Sequence, residues 1–330
     1  MKSVLRLSPE PVGDLVEREA RHAETVSFLF RDFHIALPKG TLILRDESLA
    51  RRTTLRVGGP ADLFVEPGTE EALASVMELC CLRSMPVFLL GRGSNLLVRD
   101  GGFRGVVVSL SAAGFSRIEA EGEFLRVGAG ARLKQVAVEA RRLGLGGLEF
   151  LEGIPGSVGG ALRMNAGAMG RWTFDVVEQM RVMDRYGAVR DLDRSAIPVE
   201  YRSCPLLRDE CAVSALLKGN PAPPDEVRER MDTYSRKRWE SQPNQPSAGC
   251  TFKNPSPSMP AGRLIDELGL KGTRVGDAMV SDVHANFFVN MGRATSRDVL
   301  SLIELVRSRV REARGVNLET EVEVIGEDSK

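Results

Sequence analysis

The segment QPNQPSAGCTFKNP (residues 242–255) sets Cys250 behind two prolines and a Ser-Ala-Gly turn. A thiol in such a place can give up a proton or attack an electrophile. It can equally be a small core residue that follows a turn, because free cysteine is among the most buried residue types. On these residues alone both readings stay open. Two other places carry charge suited to chemistry. YRSCPLL (201–207) puts Arg202 beside Tyr201, and a guanidinium is a fixed fork for a carboxylate or phosphate. LETEVEVIG (318–326) carries Glu319 and Glu321 on one side of an alternating run, with Thr320 and Val322 on the other. Taken singly, each charge also suits a solvated surface.

Two glycine-rich stretches could receive a ligand. GRGSNLLV (91–98) follows the apolar run PVFLLG and offers Gly91, Arg92, Gly93, Ser94, Asn95 and Leu96. It lacks the third glycine of a dinucleotide fingerprint and continues into a strand-like run instead of a helix. Such a turn can still wrap a diphosphate with backbone N–H groups and the Ser and Asn side chains, or it is a plain tight turn. GIPGSVGGALRMNAGAMG (153–170) strips side chains from a long stretch, at Gly153, Gly156, Ser157, Gly159, Gly160, Ala161, Ala166 and Gly167. That costs backbone entropy and is useful where another backbone or a flat ligand comes close. Other constellations are absent: no Walker A, no G-x-S-x-G, no Cys-x-x-Cys. His22, His34 and His284 are too scattered in sequence for a metal site.

The elements that must position these groups alternate along the chain. Helical spacing covers 70–85, 132–143, 225–240, 261–268 and 296–314, the last capped by Thr295 or Ser296 and stopped by Gly315. Apolar or alternating runs at 86–91, 105–110, 124–130, 176–184, 188–192, 211–219 and 318–326 read as strands. This pattern predicts an α+β protein. Residues 1–50 read as an extension of no assigned role with at most one helix. The Pro-rich NPAPPDEV (220–227) is the expected domain boundary. With 45 basic and 45 acidic residues the charge cancels, so no general attraction to nucleic acid is expected, and no apolar run is long enough for a membrane span. Five scattered cysteines and an N-terminus broken early by Pro and acids point to a reducing cytoplasm and no signal peptide.

Together and in this order, RVGGPAD, GRGSNLLVRDGGFRG, GLEFLEGIPGSVGGALRMNAGA, YRSCPLL, QPNQPSAGCTFKNP with AGRLIDELGLKG and HANFFVN, and LETEVEVIG resemble the UDP-N-acetylenolpyruvoylglucosamine reductase family. The resemblance spans roughly residues 50–326. It implies an FAD-binding domain of the vanillyl-alcohol-oxidase type over 51–219, in two subdomains, and a C-terminal α+β substrate domain over 220–330. It implies FAD and NADPH as cofactors and a nucleotide sugar as substrate, with no obligate protein partner. Gly91–Leu96 with Gly153, Ile154, Pro155, Gly156, Ser157, Gly160, Asn165 and Ala166 would hold FAD. Arg202, Cys250 and Glu321 would be catalytic, and Tyr201, Lys253 and Asn254 would contact substrate. Glu321 is preferred to Glu319 because the family's motif makes its second acid catalytic.

The sequence departs from the family pattern at two places. Cysteine stands where the common motif has serine; at an ordinary pKa of about 8.5 a thiol there risks ionisation and oxidation. After the small-residue run, where an aromatic is expected, the chain has Met169 and then Arg171-Trp172. The stretch from Tyr201 to Gly219 is too short for the extra loop some members fold over substrate. Two rival readings share part of the pattern: a flavin oxidase with the same cofactor domain, and a catalytically lapsed nucleotide-sugar binding protein. An oxidase would have no reason to keep SAGCTFKNP, Tyr201-Arg202 and LETE, and a lapsed protein no reason to keep the charged residues.

Overall fold

The computed structural model describes residues 12–329. Helix Val12–Ala36 (α1) leads into strand Leu42–Ser48 (β1), which pairs antiparallel with Pro60–Glu66 (β2). Helix Glu70–Leu82 (α2) and strands Val87–Leu90 (β3), Leu96–Val98 (β4) and Phe103–Ser109 (β5) follow. The sheet order is β1-β2-β5-β3, with β2, β5 and β3 parallel. Its inner strands are covered on both faces. Leu63, Val65, Val106 and Val108 meet α1 and α2, while Phe64 and Val107 meet Leu49, Leu90 and Val98. Double burial is why these strands read as near-continuous apolar runs. The expectation of an N-terminal extension with at most one helix needs correcting, because β1 is an edge strand of this sheet and the lobe begins well before residue 51. Residues 1–11 of that extension lie outside the described residues.

The second lobe comprises Ile118–Glu121 (β6), Phe124–Gly128 (β7), Leu133–Arg142 (α3), Leu145–Gly146 (β8), Val158–Arg163 (α4), Gly167–Ala168 (β9), Arg171–Trp172 (β10), Val177–Met183 (β11), Val189–Asp193 (β12), Cys211–Lys218 (β13), Asn220–Pro221 (β14) and Pro224–Ser241 (α5). Its five-stranded antiparallel sheet runs β12-β11-β13-β7-β6. Val136 and Ala140 of α3, with Val227 and Met231 of α5, share one core with Leu125, Met180 and Leu217 from this sheet. The Pro-rich break at 220–227 is therefore not where the cores part. β14 pairs with β8, α5 packs on this lobe, and the packing changes only after Ser241.

The third lobe holds Ser247–Cys250 (β15), Ala261–Glu267 (α6), Arg274–Val275 (β16), Ala278–Val280 (β17), Phe287–Asn290 (β18) and Ser296–Arg314 (α7), in sheet order β15-β18-β17-β16. α7 buries Val299, Leu302, Ile303, Val306 and Val310, the stripe its spacing predicts. The last strand is shorter than expected. Only Glu323–Ile325 (β19) is regular, and it leaves the third lobe to run parallel to β4 of the first. Ahead of it, Thr320 makes an isolated bridge with Phe252.

Candidate active site

Three distant segments converge where the last stretch of chain crosses between lobes. Gly249, at φ 76°, kinks β15 just before Cys250. Asn286, buried on the neighbouring segment, then braces the chain: it accepts from Phe252 N at 2.9 Å and donates to Phe252 O at 2.8 Å. Thr251 O accepts from Glu321 N at 2.8 Å, and Lys253 N donates to Glu319 O at 2.9 Å. The cysteine turn and the final segment thus run side by side. Glu321 turns inward with 14% of its side chain exposed, whereas Glu319 is 79% exposed. The two acids of the Leu-Glu-x-Glu motif are told apart by this difference.

Arg202 arrives on a tight turn closed by Glu200 N to Ser203 O (2.9 Å) and Ser203 N to Glu200 O (3.3 Å), and it occupies the left-handed region at φ 57°. Its Nε lies 2.9 Å from Glu321 Oε1. The N–H is not directed at that oxygen, and Nε has no hydrogen-bond partner, so the contact is an ion pair with donor capacity to spare. Burial, reinforced by the negative charge of Glu321, pushes the Cys250 thiol up to about 12, with Arg202 and the Asn286 side chain pulling the other way. The residue as a whole keeps partial exposure, yet the surroundings of its sulfur are crowded enough to disfavour the thiolate. The ionisation expected of an ordinary thiol is thereby suppressed. Glu321 is also raised, first by burial, with Arg202 and Lys253 lowering it.

A cavity of about 690 Å³ opens between the first two sheets; Cys250, Arg202 and Glu321 are not among its lining residues, but Arg163 on its wall pairs with Glu323, two residues beyond Glu321, at 2.7 Å. Among its lining residues are Arg51, Arg52, Arg92, Arg132 and Arg163 against only Glu66 and Glu210. Arg92 is held below its ordinary value, first by burial and then by the like charge of Arg132. Two facing cations on a cavity wall call for an anion between them, and a diphosphate suits that demand. Gly91 keeps the wall open, since a Cβ there would lie 2.8 Å from Ser157 Oγ.

The residues expected around the cofactor divide into two groups. Gly91, Arg92, Ser157 and Gly160 line the cavity. Gly93, Ser94, Asn95, Leu96, Gly153, Ile154, Pro155, Gly156, Asn165 and Ala166 are not among its lining residues. Gly93, at φ 61°, presses against Arg52 and Thr53, and Leu96 is core. Ser94 backs onto Gly156 and Gly249. Asn95 grips the final segment instead: its Nδ2 donates to Glu321 O at 3.0 Å and its backbone carbonyl accepts from Glu323 N at 3.0 Å. Asn165 is buried and reaches Glu200 O at 3.3 Å, anchoring the Arg202 turn, while Ala166 O accepts from Thr173 N. Sequence reasoning missed Thr53, Thr54, Ser109, Arg132 and Gln135 on the wall. Ser109 ends β5, Arg132 and Gln135 open α3, and Thr53 and Thr54 follow a short helical turn; none belongs to a motif that spacing could expose.

Of the residues expected at substrate, Tyr201 is half exposed with its ring against Trp172, and Lys253 lies 3.7 Å from Glu319. Asn254 Oδ1 is taken up by Ala261 N at 3.0 Å. His284 is held within the fold: its Nδ1 accepts from Asn286 N at 3.1 Å, and burial holds it below the usual range. No cluster of potential metal ligands occurs among the described residues, and no helix among them is long and apolar enough to cross a membrane.

Residues 61–193 match the family model of the FAD binding domain, and residues 242–325 match that of the UDP-N-acetylenolpyruvoylglucosamine reductase C-terminal domain. Fold and site define an FAD-binding oxidoreductase of the expected α+β class. UDP-N-acetylenolpyruvoylglucosamine reductases from Clostridium novyi and Geobacter metallireducens are 44% and 45% identical, over 84% and 87% of this chain and 90% and 95% of their own lengths. The solved reductase from Thermus caldophilus superposes with a TM-score of 0.75 at 41% identity, over 86% of this chain and 98% of that one. The chain belongs to the UDP-N-acetylenolpyruvoylglucosamine reductase family.

Proposed function

We propose that the chain reduces UDP-N-acetylglucosamine enolpyruvate to UDP-N-acetylmuramate with electrons from NADPH, a step of peptidoglycan precursor synthesis. The observation that carries this reading is the meeting of Cys250, Arg202 and Glu321, from three segments of the chain, in a molecule whose arginine-lined cavity is tied to the same final segment through Arg163 and Glu323. Arg92, Arg132 and Arg163 with the glycines at 91 and 160 would hold FAD, which when bound passes hydride from NADPH to the terminal carbon of the enolpyruvyl group.

The chain's own residues then handle charge and proton. Arg202, whose Nε pairs with Glu321 without a hydrogen bond, binds the substrate carboxylate and stabilises the negative charge that spreads onto it as the double bond is reduced. Cys250 transfers its S–H proton to the carbon next to the carboxylate, and the S–H electron pair stays on sulfur as a thiolate. A thiol kept neutral by burial is loaded for that transfer and is a stronger acid than an alcohol would be. Glu321, itself raised by burial, returns a proton to sulfur and recovers one from solvent. Per turnover the substrate gains one hydride and one proton. Tyr201, Lys253 and Asn254 flank the approach and would contact the nucleotide sugar.

The oxidase reading does not account for a third lobe that matches the reductase C-terminal domain, nor the lapsed reading for three charged or acidic groups kept in register. Five unpaired cysteines suit a cytoplasmic setting. The test is an anaerobic two-step titration: NADPH bleaches the flavin, and UDP-N-acetylglucosamine enolpyruvate then restores its colour. Bleaching without recovery overturns the proposed substrate, and a colourless purified protein overturns the flavin site.

A further inference from the structure

Arg202 is poorly held by hydrogen bonds for a residue that must meet an anion in a fixed orientation. Its backbone sits in the left-handed region at φ 57°, which is strained for a residue with a side chain. Its ion pair among the described residues, to Glu321, is with a group that exchanges protons in the proposed cycle, so that attraction weakens whenever Glu321 is neutral. What does not change through the cycle is a pair of aromatic rings. The guanidinium carbon lies 5.1 Å from the ring centre of Trp172 and 5.5 Å from that of Tyr201, and the two rings meet edge to face at 5.6 Å.

Trp172 is itself built into place. It is the direct cross-strand partner of Gly167 in the β9–β10 hairpin. Its indole packs against the bare glycine: a Cβ on Gly167 would stand 2.5 Å from one ring carbon and 2.9 Å from another. Its backbone N–H donates to Asp175 Oδ2 at 2.8 Å, and Thr173 next to it bonds Ala166 O through both its N–H and its hydroxyl. Part of the small-residue run is thus explained by an indole rather than by a flat ligand.

We propose that Trp172, seated on the bare face of Gly167, is a positioning residue that holds the Arg202 guanidinium in its anion-binding orientation whatever the charge on Glu321. The proposal rests on the reading of Arg202 given above. The face of an aromatic ring attracts a guanidinium independently of any proton on a neighbouring carboxyl, and in a partly desolvated site that attraction is substantial.

The experiment follows reoxidation of the NADPH-reduced, flavin-loaded enzyme by UDP-N-acetylglucosamine enolpyruvate in stopped flow. It compares the parent with Trp172→Leu, Trp172→Phe, Gly167→Ala, Arg202→Ala and the Trp172→Leu/Arg202→Ala pair. Trp172→Leu is expected to slow reoxidation at saturating substrate roughly threefold to thirtyfold, with flavin content unchanged. Trp172→Phe should restore most of the rate. Gly167→Ala keeps every atom of the indole but displaces it together with the Arg171 carbonyl oxygen, 2.7 Å from where the Cβ would stand; it should behave like Trp172→Leu and carries the test if the leucine variant folds poorly. In the Arg202→Ala background Trp172→Leu should add nothing, since the two act as one unit. A parental rate for Trp172→Leu and Gly167→Ala alongside a crippled Arg202→Ala overturns the positioning role alone, as does an equal further loss in the Arg202→Ala background. A parental rate for Arg202→Ala overturns the catalytic reading beneath it.

Discussion

At the scale of the residue, the open question is what a thiol does where the family's common motif has a hydroxyl. The surroundings answer through electrostatics: burial and the neighbouring Glu321 charge keep Cys250 protonated, with its value up at about 12. Two outcomes follow. Cys250→Ser is expected to keep flavin reoxidation by substrate, whereas Cys250→Ala should lose roughly a hundredfold or more of that rate, the usual worth of a positioned general acid; rapid-mixing absorbance distinguishes them, and a normal Cys250→Ala makes the thiol a bystander. A neutral thiol also alkylates slowly. Brief iodoacetamide treatment at pH 8 should therefore label exposed Cys81 well before Cys250, with turnover retained, and peptide mass mapping would read this directly. Early loss of activity together with label on Cys250 would show that its surroundings do not hold the proton.

At the scale of the element, the site depends on a short strand doing more than its length suggests. β19 carries the chain from the third lobe into the first, and Asn95 fastens it with a side-chain and a backbone hydrogen bond on either side of Val322. Arg163 on α4 adds an ion pair to Glu323 at 2.7 Å. Removing the Asn95 amide strands the Glu321 carbonyl. Asn95→Ala should therefore cost about 1–3 kcal/mol in urea unfolding, and it should slow reoxidation because Glu321 loses its anchor; a variant with parental stability and rate would mean the clamp is dispensable. Most regular elements were legible in the sequence, because their burial is one-sided or complete: the apolar stripe of α7, its Thr295 cap and its Gly315 stop at φ 68° all stand where spacing and cap chemistry put them. Asn95 was legible only as part of a motif, and its actual contacts were not. They depend on where residues 321–323 cross, 226 positions away, and no local period encodes that. The same blindness explains α5, whose Val227 and Met231 face the second lobe although a Pro-rich run precedes them, and β1, whose charged residues hide an edge strand.

At the scale of the whole molecule, the first two lobes do not have separate interiors. Cys211 and Val213 of β13, in the second sheet, lie in the same buried cluster as Leu73 and Cys80 of α2 and Val106 of β5, in the first. The arginine-lined cavity between the two sheets is therefore framed by lobes that share a buried cluster, and the lobes should unfold together. That core holds two thiols which burial pushes up to about 12, Cys80 and Cys211. In the unfolded chain a thiol titrates near 8.5. Below that value both states keep the protons, and the full contribution of these groups is present. As pH rises toward the folded value, the unfolded chain releases protons that the folded chain retains, so stability falls with increasing pH. Between pH 8.5 and 9.5 the two thiols together should remove about 2 kcal/mol. Urea unfolding at those two pH values, on the parent and on a Cys80→Ala/Cys211→Ala variant, isolates their part, because every other titrating group is common to both proteins. The parent should lose more stability across the interval than the variant, in a single transition reported alike by flavin absorbance and by far-UV circular dichroism. Parallel losses would mean that the core does not hold these thiols neutral, and two separated transitions would mean that the lobes are not joined by it.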